Sequence, residues 1–260
     1  MIEEPYRWVE AIANRREYIE AQLATGSPIA AVGYRDGILF LTLGAMRQKI
    51  FEIYDRIAMG AIGHPGDIER LRMAAIELAS TEGFTRSAAD VSLRRLAHYS
   101  LSPAMKSAFE QVYGAPYLAR MLFAEVGSTA AEDLFLRVDY DGSIATNGAT
   151  FAEARHDFAV ISGNHESAEA MESFLKTEHK TDAEFSVALK DALNAWSLGH
   201  MVLQQKNGEK ELPGRDQIIE YQQKQLKTLG IEAGVLERQS TSAIRYHSLT
   251  DAEVRRQISS

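Results

Sequence analysis

The sequence predicts an α+β protein in which helices lie on the outside of antiparallel sheets. The predicted elements come in blocks, in the order strands, two helices, strands, two helices and strands. Asp-Gly pairs at residues 36–37 and 141–142 follow short apolar runs, as they do in β-hairpins. The chain has no internal repeat and no break in composition, so we expect one domain across residues 1–260.

An amphipathic helix is predicted at residues 6–24, ahead of the first strand. Its apolar side chains recur at helical spacing along one side. They are Trp8, Ile12, Ile19 and Leu23. Gly26 ends the helix, and Pro28 disfavours the α conformation in the residue before it. The apolar side must be buried against either the rest of the domain or a neighbouring subunit.

Three strands are predicted next. Apolar residues 29–32 and 38–41 flank the Asp36-Gly37 turn and indicate a β-hairpin. A third strand is expected at residues 49–57, so that Tyr54-Asp55-Arg56 lies within it, and it continues into a stretch punctuated by glycines.

Two helices should follow these strands. Asp67 is a candidate N-cap for the first helix, and Gly83 is expected to end it. Ser87 and Asp90 have the spacing of a capping box for the second helix. Pro103 is expected to kink or restart that helix.

The second half of the chain repeats the block pattern. Strands are predicted at residues 117–126, 134–138 and 158–161, and helices at residues 167–178 and 182–202. Residues 204–216 are polar and contain Gly and Pro, which indicates a surface excursion, and a polar helix is expected at residues 217–229. A closing hairpin (residues 232–237 and 243–247) leads to a short helix that Thr250 can cap.

Composition excludes several classes of function. The net charge of −8 gives no electrostatic reason to expect nucleic acid or an anionic membrane as partner. The absence of cysteine excludes disulfides, a thiol nucleophile and a cysteine-ligated metal. No signal peptide and no apolar run of membrane-spanning length is found, so we expect a soluble cytoplasmic protein.

The residues also give no reason to expect a cofactor or a metal. The seven histidines lack the spacing of metal ligands. Gly60, Gly63 and Gly66 do not follow the order of a dinucleotide-binding loop and precede no phosphate-loop lysine.

Four segments, taken in order, resemble the successive strands of proteasome subunits. They are SPIAAVGYRDGILFL, KIFEIYDRIAMGAIG, LFLRVDYDGSI and FAVISG. The chain is most similar to α-type subunits of bacterial proteasomes, over about residues 6–200 and again over 231–258. The resemblance implies the four-layer αββα sandwich of N-terminal nucleophile hydrolases, with an N-terminal amphipathic helix. Residues 204–229 depart from the family pattern and are interpreted as an insertion.

The resemblance raises the question of catalysis, because β-type subunits use the first residue of the mature chain as a nucleophile. Ser27 lies at or next to that position and follows Gly26, and Lys49 matches a lysine that tunes the nucleophile in active relatives. Pro28 replaces the small or β-branched residue of active subunits, and residues 42–44 supply no carboxylate. We therefore expect a non-catalytic subunit, with a self-processing peptidase using Ser27 and Lys49 as the alternative.

In α-type relatives the matching lysine receives the C-terminal carboxylate of an activator ATPase, in a pocket between neighbouring subunits. The resemblance therefore implies that Lys49 forms part of a docking pocket and that Gly63 contributes to its wall. An ammonium group on a flexible stem suits a charge-assisted pair with a carboxylate.

The family context implies three partners: copies of this chain in a homo-heptameric ring, catalytic β-type subunits, and an activator ATPase ring. The short polar segment at residues 1–5 would face the pore and restrict entry of substrates. A homologue that scaffolds without β-type partners is a further alternative.

Overall fold

A computed structural model describes residues 5–45, 47–111, 113–146, 157–205 and 212–259. The first sheet grows from the hairpin that follows the N-terminal helix. Its strands are β1 (Ile29–Tyr34), β2 (Gly37–Gly44), β8 (Phe158–Ile161), β9 (Gly230–Glu237) and β10 (Tyr246–Leu249). They pair antiparallel in the order β10-β9-β2-β1-β8.

The second sheet contains the remaining strands of the described chain. They are β3 (Ile50–Tyr54), β4 (Ile57–Gly63), β5 (Ala119–Glu125), β6 (Leu134–Val138) and β7 (Ile144–Thr146). These strands follow one another in chain order as an antiparallel meander.

Helices cover the outer face of each sheet. Those of the described chain are α1 (Pro5–Leu23), α2 (Pro65–Thr85), α3 (Leu93–Leu96), α4 (Ser102–Glu110), α5 (His165–Glu178), α6 (Phe185–Gln204), α7 (Arg215–Thr228) and α8 (Asp251–Ser259). Helices α5 and α6 pack on the first sheet, and α2 to α4 pack on the second.

Side-chain alternation along the strands creates three buried layers. On β2, Leu39 and Leu41 face the helices, whereas Phe40 faces the other sheet. On β4, Met59 faces the helices and Ala58 faces the first sheet. Because successive side chains of a strand point to opposite faces, a strand with helices on one side and a sheet on the other is apolar throughout. The predicted four-layer αββα sandwich is confirmed.

The first hairpin turns at Arg35 and Asp36, and not at Asp36-Gly37 as predicted. Tyr34 pairs with Gly37, which is the first residue of β2. A Cβ atom at Gly37 would lie 2.0 Å from the carbonyl oxygen of Leu236. Gly37 therefore serves the close approach of β9 rather than the turn.

The prediction of one strand at residues 49–57 is wrong. Strands β3 and β4 form a hairpin in which Tyr54 pairs with Ile57, so Asp55 and Arg56 form the turn. The turn contains no Gly, Asn or Pro, and Asp55 is its single residue of a type common in turns, so the turn signal in the sequence is weak. Tertiary contacts hold it instead: Arg56 Nε lies 2.9 Å from the Glu125 carboxylate.

The start and the end predicted for the first of the two helices after these strands, α2, are also wrong. Helix α2 begins at Pro65, and the Asp67 carboxylate accepts a hydrogen bond from the Leu118 backbone N–H (3.0 Å) instead of capping the helix. The helix continues through Gly83 to Thr85. A Cβ atom at residue 83 would lie 2.2 Å from the Tyr54 hydroxyl, so this glycine admits a ring from β3.

Ser87, predicted with Asp90 to begin the second helix, caps only a short 3₁₀ turn at residues 88–90. Ser92 caps the α-helix that follows, α3. Residues 97–101 form a π-helical segment directly ahead of Pro103. The predicted disturbance at this proline is confirmed, because proline lacks an N–H and its ring crowds the preceding turn.

The later elements occur where predicted, with shifted ends. Asn164 caps α5, whose first residue is His165, and α6 begins at Phe185. Thr250 caps α8: its Oγ1 accepts from the Glu253 N–H (3.3 Å), and the Glu253 carboxylate accepts from the Thr250 N–H (2.8 Å). Part of the predicted excursion, residues 206–211, lies outside the described residues.

Candidate functional site

The candidate site lies at the end of the sandwich where β1 begins and β2 ends. Ser27 occupies the junction between α1 and β1, and its hydroxyl donates to the Leu43 carbonyl (2.7 Å). Beside it, the buried Thr42 hydroxyl donates to the Pro28 carbonyl (2.7 Å). The Ser27 hydroxyl is therefore used in fixing the end of β2.

The segment ahead of Ser27 is tightly held. Gly26 donates its N–H to the Leu23 carbonyl (2.8 Å) and accepts from the Gly163 N–H (3.1 Å). A Cβ atom at residue 163 would lie 2.6 Å from the Ala24 carbonyl oxygen. The turn ahead of Ser27 is therefore packed against residues 23–24 and 163, and as long as the chain is uncleaved the nitrogen of Ser27 is a peptide nitrogen.

Helix α1 is fixed to the body by both apolar and ionic contacts. Ile19 and Leu23 are fully buried, with Phe109 and Tyr140 in the same cluster. Its N-terminal half is more exposed, and the exposed fractions of Trp8 and Val9 are 44% and 67%. The predicted apolar stripe is therefore only partly covered within the chain.

Arg120 is the centre of the ionic contacts. Its guanidinium contacts the Asp139 carboxylate (3.0 Å), the Ser162 carbonyl (2.9 Å) and the Glu20 carboxylate of α1 (3.0 Å). The Tyr140 hydroxyl also donates to Glu20 (2.7 Å). Burial raises the pKa of Asp139, although the Arg120 cation acts in the opposite direction. Asp139 is therefore part of the ionic network through which Arg120 fastens α1.

Lys49 precedes β3 and lies beside the end of β2. A Cβ atom built on Gly44 would lie 3.8 Å from the Lys49 Nζ. Burial lowers the pKa of the Lys49 ammonium, and the negative charge of Glu232 acts against this shift. The structure therefore brings Lys49 to the same end of the sandwich as Ser27, since both contact residues 43–44.

Glu232, on β9, places a carboxylate at this end of the sandwich. It accepts hydrogen bonds from the backbone N–H groups of Lys49 (2.8 Å) and Ile50 (2.7 Å). Burial raises the pKa of Glu232 despite these bonds. Its register partner is Thr42, in the segment where the sequence shows no acid. An acidic residue in the interior of a largely apolar strand was the available signal, but the pairing of β9 with β2 cannot be deduced from the sequence.

Gly63, the second predicted pocket residue, ends β4. Its φ is +133°, and a Cβ atom there would lie 2.0 Å from the Leu118 carbonyl oxygen, so the position requires glycine. Two residues earlier, the Ala61 N–H donates to the Lys49 carbonyl (2.9 Å). Gly63 and Lys49 thus lie at the same edge of the second sheet.

A histidine on α6 that the sequence analysis did not single out is held between two aromatic side chains. Burial lowers the pKa of His200, and the positive charge of Lys49 adds to this shift. The His200 ring stacks on Trp196 with centroids 4.6 Å apart, and its Nδ1 lies 2.8 Å from the Tyr221 hydroxyl on α7. Helix α7, within the predicted insertion, is therefore joined to α6 through Tyr221 and His200.

Neither a metal centre nor a membrane span is found in the described part of the chain. No group of three or more His, Asp or Glu side chains there could hold a metal ion. Among the same residues, no helix has both the length and the apolarity needed to cross a bilayer.

Comparison with known proteins decides the family. The family model for the proteasome subunit matches residues 24–196. This chain belongs to the proteasome-subunit family. The matched region begins just ahead of Ser27 and contains Lys49 and Gly63, whereas α7 lies beyond it.

Curated relatives in this family are named proteasome subunit alpha. One from Nocardioides sp. is 33% identical over 193 residues, which cover 74% of this chain and 70% of the relative. One from Frankia casuarinae is 32% identical over 212 residues, covering 78% and 80%. One from Streptomyces scabiei is 32% identical over 190 residues, covering 72% of each. The predicted likeness to bacterial α-type subunits is confirmed.

Proposed function

We propose that this chain is a non-catalytic α-type subunit that forms the outer heptameric ring of a 20S-proteasome-like particle. In that role it stacks on catalytic β-type subunits, controls substrate entry and docks an activator ATPase. The observation that carries the proposal is the covered junction at Ser27, combined with relatives that are named as alpha subunits. We further infer that the chain forms one domain and works in the cytoplasm.

The chemistry of the family explains why a covered junction matters. An N-terminal nucleophile needs a free α-amine, or a nearby base, to take the proton from its own hydroxyl. Here residue 27 carries a peptide nitrogen, and its hydroxyl donates to Leu43. Releasing an amine would require cleavage at Gly26, within the turn fixed by α1 and Gly163.

A self-processing peptidase remains the second candidate, on one specific observation. Ser27 and Lys49 lie at the same end of the sandwich, and burial lowers the pKa of Lys49, which favours a proton-accepting amine. In this chain, however, Glu232 is bonded to backbone N–H groups and acts against that shift.

Ring assembly supplies a burial partner for the exposed half of α1. Trp8 and Val9, in that half, are 44% and 67% exposed, and exposed large apolar side chains that lie together favour an interface. A cyclic ring needs two different complementary surfaces on each subunit, and α1 would contribute to one of them. Of residues 1–5, which we assign to the pore, residues 1–4 lie outside the described residues, and Pro5 is the first residue of α1.

Docking of the activator is assigned to the edge formed by Lys49 and Gly63. The Lys49 side chain is half-buried, and the Glu232 carboxylate accepts a hydrogen bond from the Lys49 backbone N–H. The position of the residue is therefore fixed, while its ammonium stays accessible to a partner. A chain-terminal carboxylate that reached Nζ would form a charge-assisted pair.

Reconstitution with a β-type subunit tests the proposal. We expect co-expression to give a particle of stacked seven-membered rings by sizing and electron microscopy. Its peptide hydrolysis should be lost when the β nucleophile is substituted and unchanged when Ser27 is replaced by Ala. Hydrolysis that survives the β substitution and disappears in Ser27→Ala would favour the peptidase, and stable rings that never bind a β-type subunit would favour a scaffold.

A further inference from the structure

Two glycines face each other where the first sheet ends beside Lys49. Gly44 is the last residue of β2 and Gly230 is the first residue of β9, and the two are register partners in the antiparallel pair. Gly44 is half-buried and Gly230 is exposed. Side chains at directly opposite positions of an antiparallel pair project from the same face of the sheet, so that face is bare at this end.

The fold itself does not require glycine at either position. Among the described glycines, only Gly63 and Gly142 have a φ in the left-handed region. Apart from chain neighbours, the nearest described atom to a Cβ atom would lie 3.6 Å away at residue 230 and 3.8 Å away at residue 44. These are ordinary van der Waals distances, in contrast to the 2.0 Å found at Gly37. Neither backbone conformation nor crowding within the described chain therefore accounts for the two glycines.

The open side of Gly44 faces the end of the Lys49 side chain. The described atoms within reach of a Cβ atom at residue 44 would be Lys49 Nζ (3.8 Å) and Cε (4.0 Å). No described residue is hydrogen-bonded to Nζ. An ammonium group has three donors, so this one can still accept a partner. The space beside Gly44 is therefore a direction from which a carboxylate can reach Nζ.

The neighbouring side chains on the same face of the sheet are already engaged. Residues 42 and 44 of β2 and residues 230 and 232 of β9 share this face, because side chains alternate along a strand. The Thr42 hydroxyl donates to a backbone carbonyl, and the Glu232 carboxylate accepts from backbone N–H groups. A ligand at this end of the sheet would therefore meet the bare backbone of the two glycines.

We propose that Gly44 is a specificity-determining residue of the Lys49 docking site: the chain-terminal carboxylate of an activator reaches Nζ over the backbone of Gly44, and a side chain at this position excludes it. This inference rests on the proposed docking function. Glycine is the residue that lets a backbone and a ligand approach closely. The carboxylate and the ammonium form a charge-assisted pair, and no covalent bond forms or breaks.

The proposal separates docking from stability. Alanine or valine at residue 44 restricts the unfolded chain more than glycine does, and the backbone there needs no positive φ, so the melting temperature of the ring should not fall. If Gly44→Val does melt lower, Gly44→Ala decides, because its added atom would contact only Lys49 among the described residues. A lower melting temperature in Gly44→Ala as well would make this a structural glycine and overturn the proposal.

Lysine NMR on the assembled protein tests the inference without an identified activator. Protein labelled with ¹³C at lysine Cε is titrated at constant ionic strength with sodium propionate, a minimal terminal carboxylate, and with propionamide, its uncharged analogue. Lys49→Ala assigns the signal. We expect propionate alone to shift the Lys49 signal saturably, and Gly44→Val to need about tenfold more of it, the effect of losing one charge-assisted hydrogen bond. Gly214→Ala, where a Cβ atom would meet only the Gln217 side chain (3.9 Å), should bind as wild type does.

The outcomes of this titration separate the inference from the docking function. Equal propionate affinities in wild type and Gly44→Val would overturn the role of Gly44 and leave carboxylate binding at Lys49 in place. The absence of any shift at Lys49 in wild type would overturn both.

Stimulation of the reconstituted particle gives a second measurement. Peptide hydrolysis is followed against the concentration of an ATPase ring from the same source, in wild type, Gly44→Val and Lys49→Ala. We expect Lys49→Ala to abolish stimulation and Gly44→Val to need about tenfold more activator for half of the maximal rate. If Lys49→Ala abolishes stimulation but Gly44→Val keeps the wild-type curve, docking stands and the role of Gly44 fails. If Lys49→Ala has no effect, both fail.

Discussion

Lys49 is the residue on which both the docking interpretation and the catalytic alternative depend. It lies beside Gly44, and its own N–H and that of Ile50 are fixed by Glu232. The backbone of this lysine is therefore rigid, while its side chain is only half-buried. A fixed stem with a reachable ammonium suits recognition of a carboxylate.

Replacing Lys49 by Ala should leave the fold and the rings intact and abolish stimulation by an activator tail. Glu232 is held by backbone N–H groups, so it stays hydrogen-bonded when the ammonium is removed, and the end of the sandwich should not unfold. Hydrolysis of a fluorogenic peptide by the reconstituted particle measures the effect. Lys190→Ala, at an exposed site on α6, is the control. Stimulation that survives in Lys49→Ala would remove this lysine from the pocket.

Asp133 and Arg238 form the most deeply buried ion pair of the described chain. The exposed fractions of their side chains are 1% and 8%, and two parallel contacts of 2.7 and 2.8 Å join them. The pair connects the residue before β6 in the second sheet to the residue after β9 in the first. It therefore clamps the two sheets together.

Asp133→Ala should destabilise the protein by about 3–5 kcal/mol, because it leaves the Arg238 cation buried and unpaired. Chemical denaturation at a fixed subunit concentration measures the change in the free energy of unfolding. Asp182→Ala, at an exposed site, should change it by less than about 0.5 kcal/mol. Equal stabilities for the two variants would show that the clamp contributes little.

The residues of the candidate site also show how much of it could be predicted from the sequence alone. Ser27, Lys49 and Gly63 could be singled out because the segments around them resemble the successive strands of proteasome subunits. Glu232 could not, because it reaches the site from β9, 183 residues after Lys49 in the chain. Only the pairing of β2 with β9 places it there.

Among the elements, α1 determines whether the junction at Ser27 stays covered. Its C-terminal half is buried through Ile19 and Leu23, and Glu20 connects it to Arg120 and Tyr140. The remainder of the helix is largely exposed. The attachment of α1 therefore depends strongly on its last two turns.

Glu20→Ala should loosen α1 without unfolding the sandwich. It removes one charge-assisted bond and one hydroxyl bond, together worth about 1–3 kcal/mol, so amide hydrogen exchange in α1 should be faster by about fivefold or more. Glu17→Ala, at an exposed position of the same helix, is the control. Equal exchange in the two variants would exclude the Arg120 contacts as the attachment.

The elements show which sequence signals are reliable. Long apolar periods and caps predicted α1, β6, β8 and α8 closely, because local propensity and burial agree there. The Asp55-Arg56 turn was missed because Arg56 is held by Glu125 rather than by a turn residue. Gly83 was misjudged because its role is to admit Tyr54, a contact made across the fold.

For the whole molecule, the exposed face of α1 and the edge around Lys49 are the surfaces that an assembly would use. The family match covers residues 24–196, so α7, β9, β10 and α8 all lie beyond it, although β9 and β10 complete the first sheet. Helix α7 is joined to α6 through Tyr221 and His200.

The central claim is that the residues ahead of Ser27 stay attached, so that no amine appears at residue 27. Intact mass spectrometry of the protein isolated from its natural source, combined with a peptide-hydrolysis assay of the isolated ring, tests it most directly. The account predicts a chain that retains α1 and a ring without hydrolysis of its own. A chain beginning at Ser27, with turnover that disappears in Ser27→Ala, would contradict it.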